Sequence, residues 1–200
     1  MSSTIPLIAF IVFAVADWIA VARDDRPLEY LTKPAALAAL IVYAALGSLG
    51  STWLITALTL SLLGDVYLML PTDAFTVGLG AFLLAHVAYV IAFPTPLVRR
   101  LILLLIVIIV TSPFVMRISG AVRGTGLRAG VIVYMLTLAV MAASAFASGS
   151  RIAALAAALF VASDTILGWN RFVRPLSWAR PAIMVTYHLG QLGLAYALRG

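Results

Sequence analysis

Residues 101–110 read LILLLIVIIV, ten apolar residues without a polar interruption. Apolar residues continue to dominate on both sides, so that one segment has the approximate limits 98–117. A helix needs about 20 largely apolar residues to cross a bilayer, whereas a strand of a membrane β-barrel alternates apolar and polar residues. The stretch therefore predicts a transmembrane helix and disfavours a closed β-barrel.

Nearly the whole chain divides into segments of this kind. Hydrophobic residues make up 64% and charged residues 10% of the chain, against about a quarter charged in an ordinary soluble domain. We predict an all-α fold, a polytopic membrane bundle of eight transmembrane helices in a single integral-membrane domain, residues 1–200. The approximate limits are 4–22, 34–49, 51–70, 76–93, 98–117, 127–147, 151–171 and 177–198, with the least defined breaks at Gly47–Ser51 and Ser148–Arg151.

The net charge of +6 fits membrane orientation better than nucleic-acid binding, because the basic residues occur singly or in pairs in separate loops. Lys and Arg accumulate on the cytoplasmic side of membrane proteins. The loops after segments 1, 3, 5 and 7 hold Arg23, Arg26, Lys33, Arg117, Arg123, Arg128, Arg171, Arg174 and Arg180, and the opposite side holds Arg99, Arg100, Arg151 and Arg199. This predicts that both termini lie outside. A composition rich in Ala and Arg is typical of GC-rich bacteria, so we expect the cytoplasmic (inner) membrane of a bacterium.

Two aspartates lie where a membrane helix tolerates them least. Asp65 lies in SLLGDVYLMLP and Asp164 in LFVASDTILGWN. An ionisable group at bilayer depth costs several kcal/mol unless it is paired or protonated, and such residues usually mark a functional site. Both could instead be structural anchors, paired with Lys33 or with Tyr and His of neighbouring helices. We favour the functional interpretation.

The two aspartate contexts also suggest an internal repeat. Segment 3 reads LGDVYL and segment 7 reads ASDTIL, and in both cases the next segment carries a histidine, His86 or His188. Segments 3 and 7 run in the same direction, so the halves, residues 1–93 and 98–200, would be related in parallel. The alternative is chance, because small residues and Leu are common in membrane helices.

Other polar residues are expected on the same side of the membrane as the aspartates. Lys33 precedes segment 2, and Asp17 lies near the end of segment 1, where we expect a structural pairing with Arg23 or Lys33. On segment 8, Tyr187, His188 and Gln191 follow helical spacing and are predicted to share one face. Asn170 and Arg171 lie at the end of segment 7, where they could meet a phosphate headgroup.

Each histidine could also simply bridge helices by hydrogen bonds. Two Asp and two His could bind a metal, but they come from separate helices without a recognised ligand spacing, so we expect neither a metal nor another cofactor. The chain has no cysteine, which excludes disulfides, thiolate catalysis and Cys-ligated metals.

Several motifs resemble those of the YhhN-like lysoplasmalogenases, a family of small multispanning membrane proteins. They are TKP at 32–34, LLGDVYLML at 62–70, AHVAY at 85–89, FVASDTILGWNRF at 160–172 and MVTYHLGQ at 184–191, in the family's order. The resemblance implies hydrolysis of the vinyl-ether bond of lysoplasmalogens, which are lysophospholipids, to a fatty aldehyde and glycerophosphoethanolamine or glycerophosphocholine. It implies Asp65 and Asp164 as the catalytic pair. The implied substrate-binding residues are Lys33, His86, Asn170, Arg171, Tyr187, His188 and Gln191.

Two carboxyl groups suffice for this reaction. A vinyl ether resists nucleophiles until its β-carbon is protonated, and the resulting oxocarbenium ion then captures water. One carboxylic acid and one carboxylate, about 5–9 Å apart with a water between them, would serve as acid and base, as in glycosidases. Which aspartate takes which role, the headgroup and chain preference, and the oligomeric state are left open by the sequence.

The main alternative is a proton-coupled transporter of small molecules, because paired intramembrane Asp and His also form proton relays. Segments 3 and 7 lack the Gly or Pro interruptions of broken carrier helices, and the polar groups lie towards one side. We therefore favour the hydrolase, with a non-catalytic membrane scaffold as a more distant alternative.

Overall fold

The computed structural model describes residues 3–47, 52–72 and 74–199, and every regular element in these ranges is helical. The helices are α1 (Thr4–Ala22), α2 (Arg26–Ala45), α3 (Thr52–Met69), α4 (Phe75–Ala92), α5 (Leu97–Ala121), α6 (Thr125–Ala147), α7 (Arg151–Gly168) and α8 (Ala179–Arg199), and a π-helical turn (Trp169–Val173) continues α7. This confirms the predicted all-α bundle.

Seven helices of the described part, α1 to α7, are long and apolar enough to cross a membrane, with the π-helical turn counted in the seventh. The remaining helix, α8, has 21 residues and extends over about 31 Å. It is less apolar because it carries Tyr187, His188 and Gln191, all of which are buried against other helices. These three polar residues of α8 therefore face the protein interior.

Consecutive helices pack on each other except for α4 and α5, α4 packs on α6 instead, and α8 closes the bundle by also packing on α1, α2 and α3. Small residues bring α7 and α8 together. A Cβ at Gly193 would lie only 2.6 Å from the Cβ of Ala156, and one at Gly190 would lie 3.1 Å from the Ala156 carbonyl oxygen. Close backbone approach of this kind is the usual basis of helix association in membranes.

The predicted start of the second helix is wrong, because α2 begins at Arg26 and not at residue 34. The Asp25 side chain accepts a hydrogen bond from the Leu28 amide at 3.1 Å and caps the helix, and Pro27 lies in the first turn, where its missing amide hydrogen costs little. Pro34 is accommodated inside α2. As a result Lys33 lies within the helix and is buried, instead of preceding it.

The two uncertain breaks have different outcomes. The break predicted at Gly47–Ser51 lies outside the described residues from position 48 onward, although α2 already ends at Ala45. The break at Ser148–Arg151 is confirmed. Gly149 takes a φ of +81°, which favours glycine, and the Ser150 hydroxyl accepts a hydrogen bond from the Ala153 amide at 3.2 Å to begin α7.

Candidate active site

A cavity of about 170 Å³ lies among the ends of α3 and α7 and the beginnings of α2 and α8. Its inner wall includes Asp65, Asp164 and Tyr187, and its outer part includes Arg26 and Arg180, which are partly exposed. The cavity therefore connects one side of the bundle with two carboxyl groups inside it.

Asp65 is 2% exposed and is held by two neighbouring helices. Lys33 of α2 places its Nζ 2.9 Å from Oδ1, and the Tyr187 hydroxyl of α8 donates a hydrogen bond to Oδ2 at 2.8 Å. A buried charge is tolerated when it is paired and its remaining lone pairs are hydrogen-bonded. These contacts are those of an ionised carboxylate.

A short relay of hydrogen bonds supports Tyr187 from behind. Gln191 donates from Nε2 to the Tyr187 hydroxyl oxygen at 3.2 Å, and its Oε1 accepts a hydrogen bond from the Tyr89 hydroxyl. All three side chains are buried. Gln191 thus fixes the orientation of Tyr187 and does not itself line the cavity.

Asp164 has a different environment. The Tyr134 hydroxyl of α6 donates a hydrogen bond to its Oδ2, and Nε2 of His86 lies 4.0 Å from the same oxygen. His86 is fully buried, edge-on to the rings of Tyr134 and Phe160. Among the described residues no Lys or Arg forms an ion pair with Asp164. This carboxyl group therefore lacks the cation that Asp65 has.

The cavity brings together five of the nine residues singled out in the sequence, namely Lys33, Asp65, Asp164, Asn170 and Tyr187. Asn170 belongs to the π-helical turn, and its side-chain oxygen accepts a hydrogen bond from the Leu176 amide at 2.8 Å. π-turns inside helices often occur at functional sites. His86 and Gln191 contact the cavity residues from the layer behind them.

The structure does not bring Arg171 and His188 to the cavity. The Arg171 guanidinium lies over the Phe75 ring, 4.4 Å from its centroid. His188 lies beside Tyr187, with 5.5 Å between the two ring centroids, but it does not line the cavity. It faces α1, where the Trp18 indole nitrogen donates to its Nδ1 at 3.0 Å.

Asp17, near the end of α1, is fully buried. The hydrogen bond that it accepts at 3.1 Å comes from the Thr32 hydroxyl of α2, and not from Arg23 or Lys33. This contact joins α1 to α2 beside the cavity, which agrees with the structural role that we predicted for it.

Two features of the site were missed in the sequence. The first is Tyr134. A single tyrosine in an apolar segment looks the same in sequence as an aromatic residue at the membrane interface. The only signal that could have suggested Tyr134 is that a buried Asp164 needs a hydrogen-bond donor. The other is the ion-pair cluster at the mouth. Arg180 donates to Asp24 and, at 2.7 Å, to Glu29, and Arg26 lies 3.6 Å from Glu29.

The sequence model of the YhhN family matches residues 28–198. Lysoplasmalogenase TMEM86B of Sus scrofa is 35% identical over 175 residues, which cover 84% of this chain and 75% of that protein. The human TMEM86B is 36% identical over 137 residues, 68% of this chain and 58% of that protein. A lysoplasmalogenase of Mycobacterium bovis is 32% identical over 142 residues, 60% of this chain and 50% of that protein. No solved structure matches significantly.

Proposed function

This chain belongs to the YhhN family, and from that membership we propose that it is a lysoplasmalogenase, a multispanning hydrolase that cleaves the vinyl-ether bond of lysoplasmalogens. The products are a fatty aldehyde and a glycerophospho-alcohol. The observation that carries the proposal is that Asp65 and Asp164, from two different helices, line one cavity inside the bundle. Relatives whose names state this activity support it.

The surroundings of the two aspartates support separate roles for them. Asp65 is paired with Lys33 and is the ionised base. Asp164 has no Lys or Arg partner among the described residues and is the carboxylic acid that donates the first proton. Its Oδ2 accepts from Tyr134, which leaves Oδ1 to carry that proton. Environments that separate two carboxyl groups in this way are the usual basis of acid–base pairs.

The two carboxyl groups and one water molecule account for every proton transfer in the reaction. Asp164 protonates the β-carbon, and the enol-ether electron pair forms the new C–H bond, which leaves an oxocarbenium ion beside the negative charge of Asp65. Water adds to the α-carbon and gives a proton to Asp65. The hemiacetal breaks its carbon–oxygen bond to the glycerol, which takes the proton from Asp65, and the hydroxyl proton of the hemiacetal returns to Asp164.

The outer part of the cavity suits the headgroup. Arg26, Arg180 and Asn170 line it and offer donors to a phosphate, for which Arg is well suited by its paired N–H groups. Glu29 lies between the two arginines and offers a negative charge to the ammonium group of ethanolamine or choline. We place the headgroup here, and not at Lys33 or Arg171, which pair inside the bundle and stack on Phe75 respectively.

The proposal is tested with the purified full chain in lipid vesicles, without added metal. A 1-alkenyl lysophospholipid should release fatty aldehyde, and in heavy water the aldehyde should carry one deuterium on the carbon next to the carbonyl. The matched control is the saturated 1-alkyl ether, which lacks the double bond and should not react. Uptake of a solute driven by a proton gradient, with no turnover of the alkenyl lipid, would support the transporter instead.

We further propose that the protein lies in the inner membrane of a bacterium with both termini outside. The nine basic residues on one side and four on the other support this orientation. In this arrangement the cavity opens towards the cytoplasmic leaflet, from which a lysolipid enters.

A further inference from the structure

A second, smaller cavity of about 30 Å³ lies directly behind Asp164. Asp164, Tyr134 and Leu167 line both this chamber and the catalytic cavity. The rest of the chamber wall is apolar and comes from α3 to α7, the π-helical turn included. Asp164 therefore lies on the boundary between a polar cavity and an apolar one.

Two further spaces lie between the chamber and the outside of the bundle. Met135 and Leu138 line both the chamber and a narrow gap of about 10 Å³. The gap in turn shares Thr111 and Thr165 with a groove of about 490 Å³ between α5, α6 and α7. The groove is open to the lipid because α5 packs mainly on α6 and on the π-helical turn. Three spaces that share lining residues thus lie in succession between Asp164 and the outer face.

The threonines along this path present no unsatisfied hydroxyl group. Thr111 donates to the Val107 carbonyl at 2.8 Å and Thr165 to the Val161 carbonyl at 2.7 Å, each within its own helix. The narrowest point is bordered by Met135, a flexible side chain that adapts to different shapes. The path is suited to a hydrocarbon and not to a polar solute.

The direction of the groove matches that of a lipid chain. Along α7 it extends about 12 Å, from Ile166 to Ala158, in the direction away from the Arg180 end of the cavity. A lysolipid with its headgroup at the cavity mouth has its chain pointing the same way. The catalytic cavity alone, at about 170 Å³, has no comparable apolar extension.

We propose that the chamber behind Asp164 and the groove between α5 and α7 form the binding site for the alkenyl chain, which passes Met135 on its way to the lipid. This inference rests on the proposed function. It places the chain-bearing β-carbon against Asp164 and the oxygen-bearing α-carbon towards Asp65, in the order that the reaction requires.

The test compares substrates that differ in the length of the alkenyl chain. Met135→Trp narrows the gap, so the purified variant in vesicles should lose about tenfold or more in kcat/KM for a hexadecenyl lysophospholipid, and this loss should exceed its loss for a hexenyl one. Val110→Trp, at the outer groove, should impair the longest chains more than the intermediate and hexenyl ones. The matched control is Leu136→Trp, which adds the same side chain on α6 at a position 48% exposed to lipid.

A second measurement does not depend on turnover. A non-hydrolysable alkyl lysophospholipid with a photoreactive group at the chain end should label α5 or α7 at the groove, and Met135→Trp should reduce this labelling. An unchanged ratio between the two substrates in Met135→Trp, or groove labelling that the substitution does not alter, would overturn the chain site and indicate ordinary bilayer lipid in the groove. If no alkenyl substrate reacts with the unmodified protein, the proposed function fails, and the labelling alone then decides on chain binding.

Discussion

At the scale of single residues, the site depends on how differently two similar sequence positions are surrounded. Asp65 has a lysine and a tyrosine hydroxyl as partners, whereas Asp164 has a tyrosine hydroxyl and a buried histidine that is 4.0 Å away. The ion pair with Lys33 offsets part of the cost of a buried charge on Asp65, and a carboxyl group without a cation is better suited to carry a proton. The pairing pattern gives each aspartate a separate task.

Removing the hydroxyl group of Tyr134 should impair catalysis and not substrate binding. Tyr134→Phe loses the hydrogen bond that orients Asp164, so kcat should fall by about tenfold to a hundredfold while KM changes little. Steady-state aldehyde release measures both. The matched control is Tyr196→Phe on α8, a position 56% exposed, and equal activity of the two variants would argue against a role for Tyr134.

Removing Lys33 should destabilise the protein as well as inactivate it. Lys33→Met leaves Asp65 buried without its cation, and breaking a buried ion pair costs about 3–5 kcal/mol. The thermal unfolding temperature of the purified protein should therefore drop clearly. The double variant Lys33→Met with Asp65→Asn removes both charges and should recover much of that stability without recovering activity. A double variant no more stable than Lys33→Met would contradict this account of the pair.

At the scale of elements, α2 and the π-helical turn place the cavity residues. The early start of α2 at Arg26 brings Glu29 and Lys33 onto the same helix, one turn apart, so that one faces the mouth and the other Asp65. The turn at Trp169–Val173 directs Asn170 to the cavity while Arg171 lies on Phe75. The early start of α2 and the π-helical turn after α7 thus shape the site.

The ion pairs at the mouth should matter for substrate binding. Arg180→Ala removes the contacts to Asp24 and Glu29 that tie α8 to the α1–α2 connection, together with a donor for the phosphate. We expect KM to rise by about tenfold with a smaller change in kcat, because the reacting carbon atoms lie deeper. Arg23→Ala, an exposed arginine of the same connection, is the control. A fall in kcat at constant KM would contradict this placement of the headgroup.

The sequence predicted most of the helices and the burial of the two aspartates inside the bundle, because long apolar runs and charged residues within them are strong signals. It also predicted that Lys33 could hold Asp65. It did not predict the start of α2 at Arg26, because charged residues precede the apolar run that begins at residue 34, and α2 tolerates the internal Pro34. The contact of Tyr134 with Asp164 and the orientation of His188 depend on how the helices are rotated relative to each other. Residue spacing along one helix does not determine that rotation.

At the scale of the whole molecule, the contacts of the two aspartates follow one pattern. Asp65 of α3 contacts Lys33 on the preceding helix and Tyr187 on the last helix of the other half. Asp164 of α7 contacts Tyr134 on the preceding helix and lies near His86 on the last helix of the other half. Each aspartate thus has one partner on the preceding helix and one on the last helix of the other half. Two parallel-related halves, residues 1–93 and 98–200, would produce this pattern, and the repeat remains a prediction.

The proposed orientation can be measured directly, because the chain has no cysteine that would interfere with labelling. Arg123 and Ser148 are exposed residues at opposite ends of α6. In intact spheroplasts a membrane-impermeant maleimide should label Ser148→Cys at once, and Arg123→Cys only after the membrane is permeabilised. The reverse pattern would show that the cavity opens to the outer leaflet.

The central claim is that Asp65 and Asp164 together perform the hydrolysis, and aldehyde release by three Asp→Asn variants tests it most directly. Asp65→Asn and Asp164→Asn should each lower the rate by at least about a thousandfold, with unchanged helicity and yield. Asp25→Asn, an exposed helix cap that asparagine replaces equally well, should keep full activity. Undiminished aldehyde release by either Asp65→Asn or Asp164→Asn would contradict the account.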